Sequence, residues 1–288
     1  MNQPRSENME DFLSTEQMPM RQLLLKIQEF SCDTIRLFVT HYEGRPLLEG
    51  FAEDRIVILI ATALKTINTS QAICRLCAEK PYFEEMYVLT RSLIESIVNG
   101  VYIQFATDKE VEAFTNFDSI SLHKAIRTAE GIAPDTLSVL PEKLLQDFSV
   151  HVDSVKAMLG KTEQDYSWTR LTMAARGDHI DKRLCIQMFC VVCKVLYPSS
   201  HAYVHGSYRS LEAYMPTEGG KVLMQSLDFQ VDGALHIMNA TLLALCTAMN
   251  HLATERLDSR IETINSMFAA CANSMSNPAR EIYASRGF

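Results

Sequence analysis

The stretch YFEEMYVLTRSLIESIVNGVYIQFA, residues 82–106, decides how this chain folds. Its polar residues Glu84, Arg91, Glu95 and Asn99 recur at seven, four and four, a spacing that stacks them along one face of an α-helix. Met86, Val88, Leu89, Leu93, Ile94, Ile97, Val98, Val101 and Ile103 cover nearly every other direction, which predicts a helix lying inside the protein. Arg91 and Glu95 are then expected to be buried together. Burying both charges costs several kcal/mol unless they are paired and hydrogen-bonded, so the polar line reads either as a structural lock or as part of a site.

Working outward, the same helical period continues on both sides. Residues 20–42 place Leu23, Leu24, Ile27, Phe30, Ile35, Phe38 and Val39 three and four apart and stop at Gly44 and Pro46. Residues 53–79 carry a wide apolar stripe, and Pro81 opens the polar-lined helix. Beyond it, residues 108–131 form a more charged, outer helix, and residues 141–159 are again helical by period. The connector GKTEQDYSWTRLTMAARGDH, residues 160–179, precedes a helix at 180–197 broken by Pro198. After the loop MPTEGGK, a long apolar helix is expected at 222–254 and an amphipathic one at 256–271. The expected fold is an all-α multi-helix bundle of about eight to ten helices around the polar-lined helix. A flexible acidic lead-in covers 1–19, and a single helical domain covers 20–288, with C-terminal helices within 222–285.

Composition narrows the function classes. In 288 residues, 11 Gly and 9 Pro are too few to turn the many short strands of an all-β protein, while 47% hydrophobic content suffices for a large core. A formal charge of −8 argues against extended binding along DNA, though it leaves room for a local basic pocket that accepts one phosphate. The N-terminus has no basic segment followed by an apolar core, as a secretory signal would. The apolar stretches at 56–64 and 233–252 are read as interrupted before a bilayer-spanning length of about 20 residues. The protein is accordingly expected in the cytoplasm, without a membrane partner.

Eight cysteines include Cys74 with Cys77 and Cys190 with Cys193, both at the two-residue gap used by zinc sites. Their surroundings, AICRLCAEK and MFCVVCKVL, read instead as helix interiors in which cysteine serves as a small apolar residue. No metal or cofactor is expected. A Walker loop is missing as well, because Gly219, Gly220 and Lys221 lack the upstream glycine and strand, and there is no GxSxG elbow.

A second constellation is SSHAYVHGSYRS, residues 199–210. If helical, it sets His201 and His205 on one face, where they could look into a shared cavity with Arg91 and Glu95. Histidine titrates near neutral pH, and arginine grips a phosphate bidentately, so the four side chains suit acid–base chemistry on a phosphodiester. His201, His205 and Glu95 are also of metal-ligating types, but the glutamate that makes HExxH diagnostic is absent.

RSLIESIVNGVYI, Trp168 in its connector and YPSSHAYVHGS together resemble a family of bacterial helical proteins of unknown function, over about residues 55–215. The likeness rests on Arg91, Glu95, Asn99, Tyr197, His205, Gly206 and Ser207. That family is in turn distantly similar to HEPN helical bundles, many of which are metal-independent ribonucleases of toxin and defence systems. Their arginine precedes the histidine by four to six residues and acts across a dimer. Here the residues six and four before His205 are Ser199 and His201, so the resemblance implies that Arg91 supplies the charge from another helix. It implies a ribonuclease with RNA or another phosphate-containing substrate, and a homodimer; with His201, which stands where the family pattern has a serine and is taken from the spacing alone, the expected catalytic residues are Arg91, Glu95, His201 and His205. The competing expectation is a non-catalytic interaction or oligomerisation module whose ion pair sets helix register.

Overall fold

The computed structural model describes residues 20–42, 53–79, 83–132, 142–160, 168–204, 217–218, 221–222, 228–253 and 257–274. The lead-in at 1–19 and His205 lie outside them, as do Gly206 and Ser207. The described chain is all-helical apart from a two-residue antiparallel ladder in which Thr217 pairs with Val222 and Glu218 with Lys221. In order, the helices are α1 (Met20–Tyr42), α2 (Glu53–Glu79), α3 (Phe83–Ile103), α4 (Asp108–Ile132), α5 (Glu142–Leu159) and α6 (Met173–Leu184). They continue with α7 (Phe189–Val191), a π-helical turn (Val192–Leu196), α8 (Tyr197–Val204), α9 (Asp228–Leu252) and α10 (Asp258–Ser274). The chain divides into two compact units, one formed by Met1–Tyr102 with Met173–Phe288 and the other by Ile103–Thr172.

In the first unit α9 is core on nearly every side, from Val231 through Leu235, Met238, Leu242 and Leu245 to Met249. Polar bonds fix how α1 lies on it. Asn239 Nδ2 donates to the Leu24 carbonyl at 2.8 Å, and Arg21 Nε meets Asp232 Oδ1 at 2.7 Å. Arg260 of α10 donates to Thr34 Oγ1 at 2.9 Å while its guanidinium lies 4.2 Å from the Phe30 ring centroid. Helix α3 comes close to α2 at Gly100, where an added Cβ would sit 2.3 Å from Thr62 Oγ1; a larger residue would force the two helices apart.

The apolar stretches of α2 and α9 do not break short as expected. By length and composition, Arg55–Cys77 and Val231–Leu252 could each cross a bilayer. Two of their hydroxyl residues turn back onto their own helices, Ser70 Oγ donating to the Ile67 carbonyl at 2.9 Å and Thr241 Oγ1 to the Ile237 carbonyl at 2.8 Å. Within the fold, 72% of the α9 window is buried against the rest of the chain, against 44% for α2.

The second unit begins with a capping box. Thr107 Oγ1 accepts from the Glu110 N–H at 3.3 Å, and Glu110 Oε2 accepts from the Thr107 N–H at 2.9 Å, which starts α4. Helix α4 packs on α5, and Val111, Phe117, Ile120, Val152 and Val155 of the two helices are buried. Trp168, in the connector read as polar, is buried with its ring edge-on to Phe114 at 5.1 Å.

Candidate functional site

Helix α3 puts Arg91, Glu95 and Asn99 on successive turns. Met86, Leu93, Ile94, Ile97, Val98, Val101 and Ile103 hold its other faces in the core, as the pattern predicts, whereas Val88, expected among them, is exposed. Arg91 and Glu95 are not fully buried, however. Their side chains keep 18% and 38% of their exposure, because the polar line runs along the rim of the buried surface. Arg91 Nε donates to Glu95 Oε1 at 3.0 Å.

The partner that meets this pair comes from a part of the chain whose local structure departs from expectation. A continuous helix at 180–197 is predicted, yet α6 already starts at Met173 and ends at Leu184. Cys185 then takes a left-handed φ of 56°, and the chain turns back on itself. Asp181 closes the turn, its Oδ1 accepting the Phe189 N–H at 2.9 Å and its Oδ2 the Cys190 N–H at 2.7 Å. The carboxylate thus satisfies backbone donors that open the next helix. Gly177 allows the two arms to touch, since a Cβ there would lie 2.7 Å from the Phe189 carbonyl oxygen and 2.8 Å from Cys193 Sγ.

The returning arm widens into the π-turn, where the Tyr197 N–H bonds to the Val192 carbonyl five residues back. Such an inserted residue shifts the helical register by about 100°, and π-turns are frequent at functional sites. Tyr197 emerges from it with its hydroxyl donating to Glu95 Oε1 at 2.7 Å. The Arg91 guanidinium carbon lies 5.3 Å from the Tyr197 ring centroid, a cation–π distance. One carboxylate oxygen therefore holds an arginine on its own helix and a tyrosine on another. Arg176 of α6, 8% exposed, donates through Nη1 to Asn99 Oδ1. Beside it His179 stands edge-on to Tyr102, with ring centroids 5.3 Å apart.

The electrostatics follow from this packing. Burial works against the Arg91 cation, but the bonds to Glu95 and Tyr197 outweigh it and hold its pKa above the ordinary arginine value. Burial, together with the Glu95 contact, pushes Tyr197 above the usual phenol value, so it keeps its proton as a donor. Arg176 goes the other way. Burial pulls it below the ordinary value against the support of Cys193, Tyr197, Glu95 and Tyr102.

Of the residues singled out in the sequence, Arg91 and Glu95 meet each other and Tyr197. His201 sits one turn after Tyr197 in α8, and the segment carrying His205 follows that helix. Sequence reading missed Arg176 as a member of the cluster. The available signal was the run of small residues Ala174, Ala175 and Gly177 around an arginine, which suits a helix face packed closely on its neighbour.

Two cavities, of about 360 and 390 Å³, lie elsewhere. One is lined by Gln28, Cys32, Arg36 and neighbours, the other by Phe38, His41, Leu257 and neighbours. Among the described residues no group of three or more His, Cys, Asp or Glu could hold a metal ion. Cys74 and Cys77 lie in the interior of α2, whereas Cys190 and Cys193 belong to α7 and the π-turn. Burial pushes Cys74 and Cys193 up to about 12, the latter partly opposed by Arg176, so neither is a ready thiolate ligand.

Comparison with curated proteins finds no match, and neither does comparison with solved structures. Arg91, Glu95, Asn99, Arg176 and Tyr197 all fall inside a stretch that a protein family shares. Residues 56–222, more than half of the chain, match a family of unknown function, DUF5677, and the chain belongs to that family.

Proposed function

We propose that this chain is a cytoplasmic, HEPN-like, RNA-cleaving protein of a defence or toxin-like type, working without a metal and as a homodimer. The observation that carries this reading is the double hold of Glu95 on Arg91 and Tyr197. It fastens the start of α8, the helix bearing His201, to the helix bearing Arg91. In the proposed reaction a histidine, His205 or His201, takes the proton of a ribose 2′-hydroxyl, whose oxygen attacks the adjacent phosphorus. The bond from phosphorus to the 5′-oxygen breaks, and the other histidine returns a proton to that oxygen. Arg91 stabilises the charge on the pentacovalent phosphorane, and Glu95 orients Arg91.

The competing reading is a non-catalytic helical interaction module. It is favoured by the same Tyr197–Glu95 bond, because fastening α8 to α3 is also what a structural lock would do. Purified protein is tested on structured and unstructured RNA with chelator present, alongside His205→Ala and Arg91→Ala, after circular dichroism shows that both variants fold. Cleavage by the wild type, lost in both variants, is the expected result. No cleavage by the wild type on any RNA overturns the ribonuclease reading in favour of the interaction module.

A further inference from the structure

The cavity of about 360 Å³ is lined by residues of α1 and by Gln71 of α2, and one of its lining residues, Gln28, keeps only 7% of its exposure. The Gln28 amide belongs to a closed network. Nε2 donates to Cys32 Sγ at 3.2 Å and to Ser70 Oγ of α2 at 3.1 Å, which uses both of its hydrogens. Ser70 gives its single proton to the Ile67 carbonyl at 2.9 Å, so toward Gln28 and the Cys32 thiol, 3.2 Å away, its oxygen accepts. The amide atom facing Ser70 must therefore be the nitrogen, and the oxygen Oε1 is left outside the network. Among the described residues Oε1 has no partner, yet it is not sealed in as the unpartnered hydroxyls of Ser31 and Thr66 are. It opens on the cavity that Gln28 lines. A buried acceptor without a donor is uncommon and costly, and a donor carried by a ligand would satisfy it.

The charged lining residues supply both signs. Arg36 is already held by Asp33, its Nη1 2.6 Å from Oδ1. Lys26 and Glu29 stand three residues apart on α1, yet neither side chain has a partner among the described residues. Burial holds the Cys32 thiol above its ordinary pKa, so it adds no charge. We propose that this cavity binds a free α-amino acid, its ammonium donating to Gln28 Oε1 and Glu29 and its carboxylate accepting from Lys26. Three residues span about 4.5 Å of helix, which suits two charges separated by one carbon atom. A lone anion would meet Glu29 and a lone cation Lys26, so each is disfavoured against the zwitterion. The volume lies near the lower end of ligand cavities, about 300–1,000 Å³, as a small molecule requires. Helix α1 precedes the family stretch at 56–222, so the site joins a family helix to one outside it and shares no residue with the Arg91 cluster.

The test is calorimetric titration of the full chain with the common L-amino acids, one at a time, at constant ionic strength. The best binder is then compared with its amide, which lacks the carboxylate, and with its deaminated acid, which lacks the ammonium. Saturable binding of at least one amino acid, with both derivatives weaker by about tenfold or more, is the expected result. No saturable binding of any amino acid leaves the cavity to water and overturns the proposal. A derivative that binds as tightly as its parent overturns it too.

Three variants place the binding in this cavity. Gln28→Met keeps the volume and removes the acceptor, and should weaken binding about tenfold or more. Lys26→Gln and Glu29→Gln change exposed side chains, where solvent screens the charge, and should weaken it about threefold or more. If Gln28→Met does not fold, the two exposed variants carry the comparison. Wild-type affinity in any folded variant overturns the site.

Discussion

Replacing Tyr197 with Phe removes one hydroxyl and almost nothing else. The ring stays beneath the Arg91 guanidinium, so the cation–π contact at 5.3 Å is retained, and no cavity larger than the missing oxygen opens. What is lost is the 2.7 Å bond to Glu95 Oε1. A hydrogen bond to a charged acceptor contributes about 1.5–3 kcal/mol when shielded. Glu95 keeps 38% of its side-chain exposure, so water can replace the hydroxyl, and the expected loss falls to about 1 kcal/mol. Followed by far-ultraviolet circular dichroism in urea, that loss lowers the midpoint by roughly 0.3 M for a slope near 3 kcal/mol per M. Combining Tyr197→Phe with Glu95→Gln should cost less than the sum of the two single variants, with a coupling of about 0.5–1 kcal/mol. A destabilisation below about 0.3 kcal/mol, or strictly additive single variants, would refute the view that Glu95 clasps α8 to α3.

Two other predictions address the fold around the site. Asp181→Ala leaves the Phe189 and Cys190 amides without their carboxylate and should cost about 2–3 kcal/mol, whereas Asp181→Asn, which keeps one acceptor oxygen, should cost about 1 kcal/mol. Equal urea midpoints for the two variants would show that the carboxylate is not a two-armed clamp. His236, edge-on to Phe268 at 5.5 Å, has its pKa lowered by burial. Below about pH 6.5 the unfolded chain therefore takes up a proton that the folded chain resists, and stability, complete above that pH, falls on acidification by up to about 1.4 kcal/mol per unit. His236→Leu should flatten the difference between urea midpoints at pH 7.5 and 5.5, and an unchanged difference would remove His236 as a cause.

Much of the fold was legible because helices with one buried face announce their period. The apolar positions of α1 and α2, and the stops that follow them, mark both helices at the bounds observed. The polar line of α3 was legible for the same reason, since residues at four-residue spacing must share a face in any helix. The segment from Met173 to Leu196 was not. It carries no proline or interior glycine at 185–188 to mark the break, and Cys185 adopts a left-handed φ that its residue type does not advertise. The run FCVVCKVL reads equally well as a straight helix, because a π-turn changes the register by one residue without changing the apolar content.

By itself, the sequence determined that the chain is helical, where its long helices run, and that Arg91, Glu95 and Asn99 lie on one side of one of them. Each of these follows from the chain's own 3.6-residue period, which needs no partner to be read. Only the tertiary structure decided that Tyr197, 102 residues away, closes on Glu95, and that Arg176, 77 residues away, docks on Asn99. Those meetings depend on Asp181 turning the chain, on Gly177 letting two arms touch, and on a π-turn rotating Tyr197 toward α3. Such contacts are set by packing between elements distant in sequence, and no local pattern encodes which side chain arrives opposite a given face.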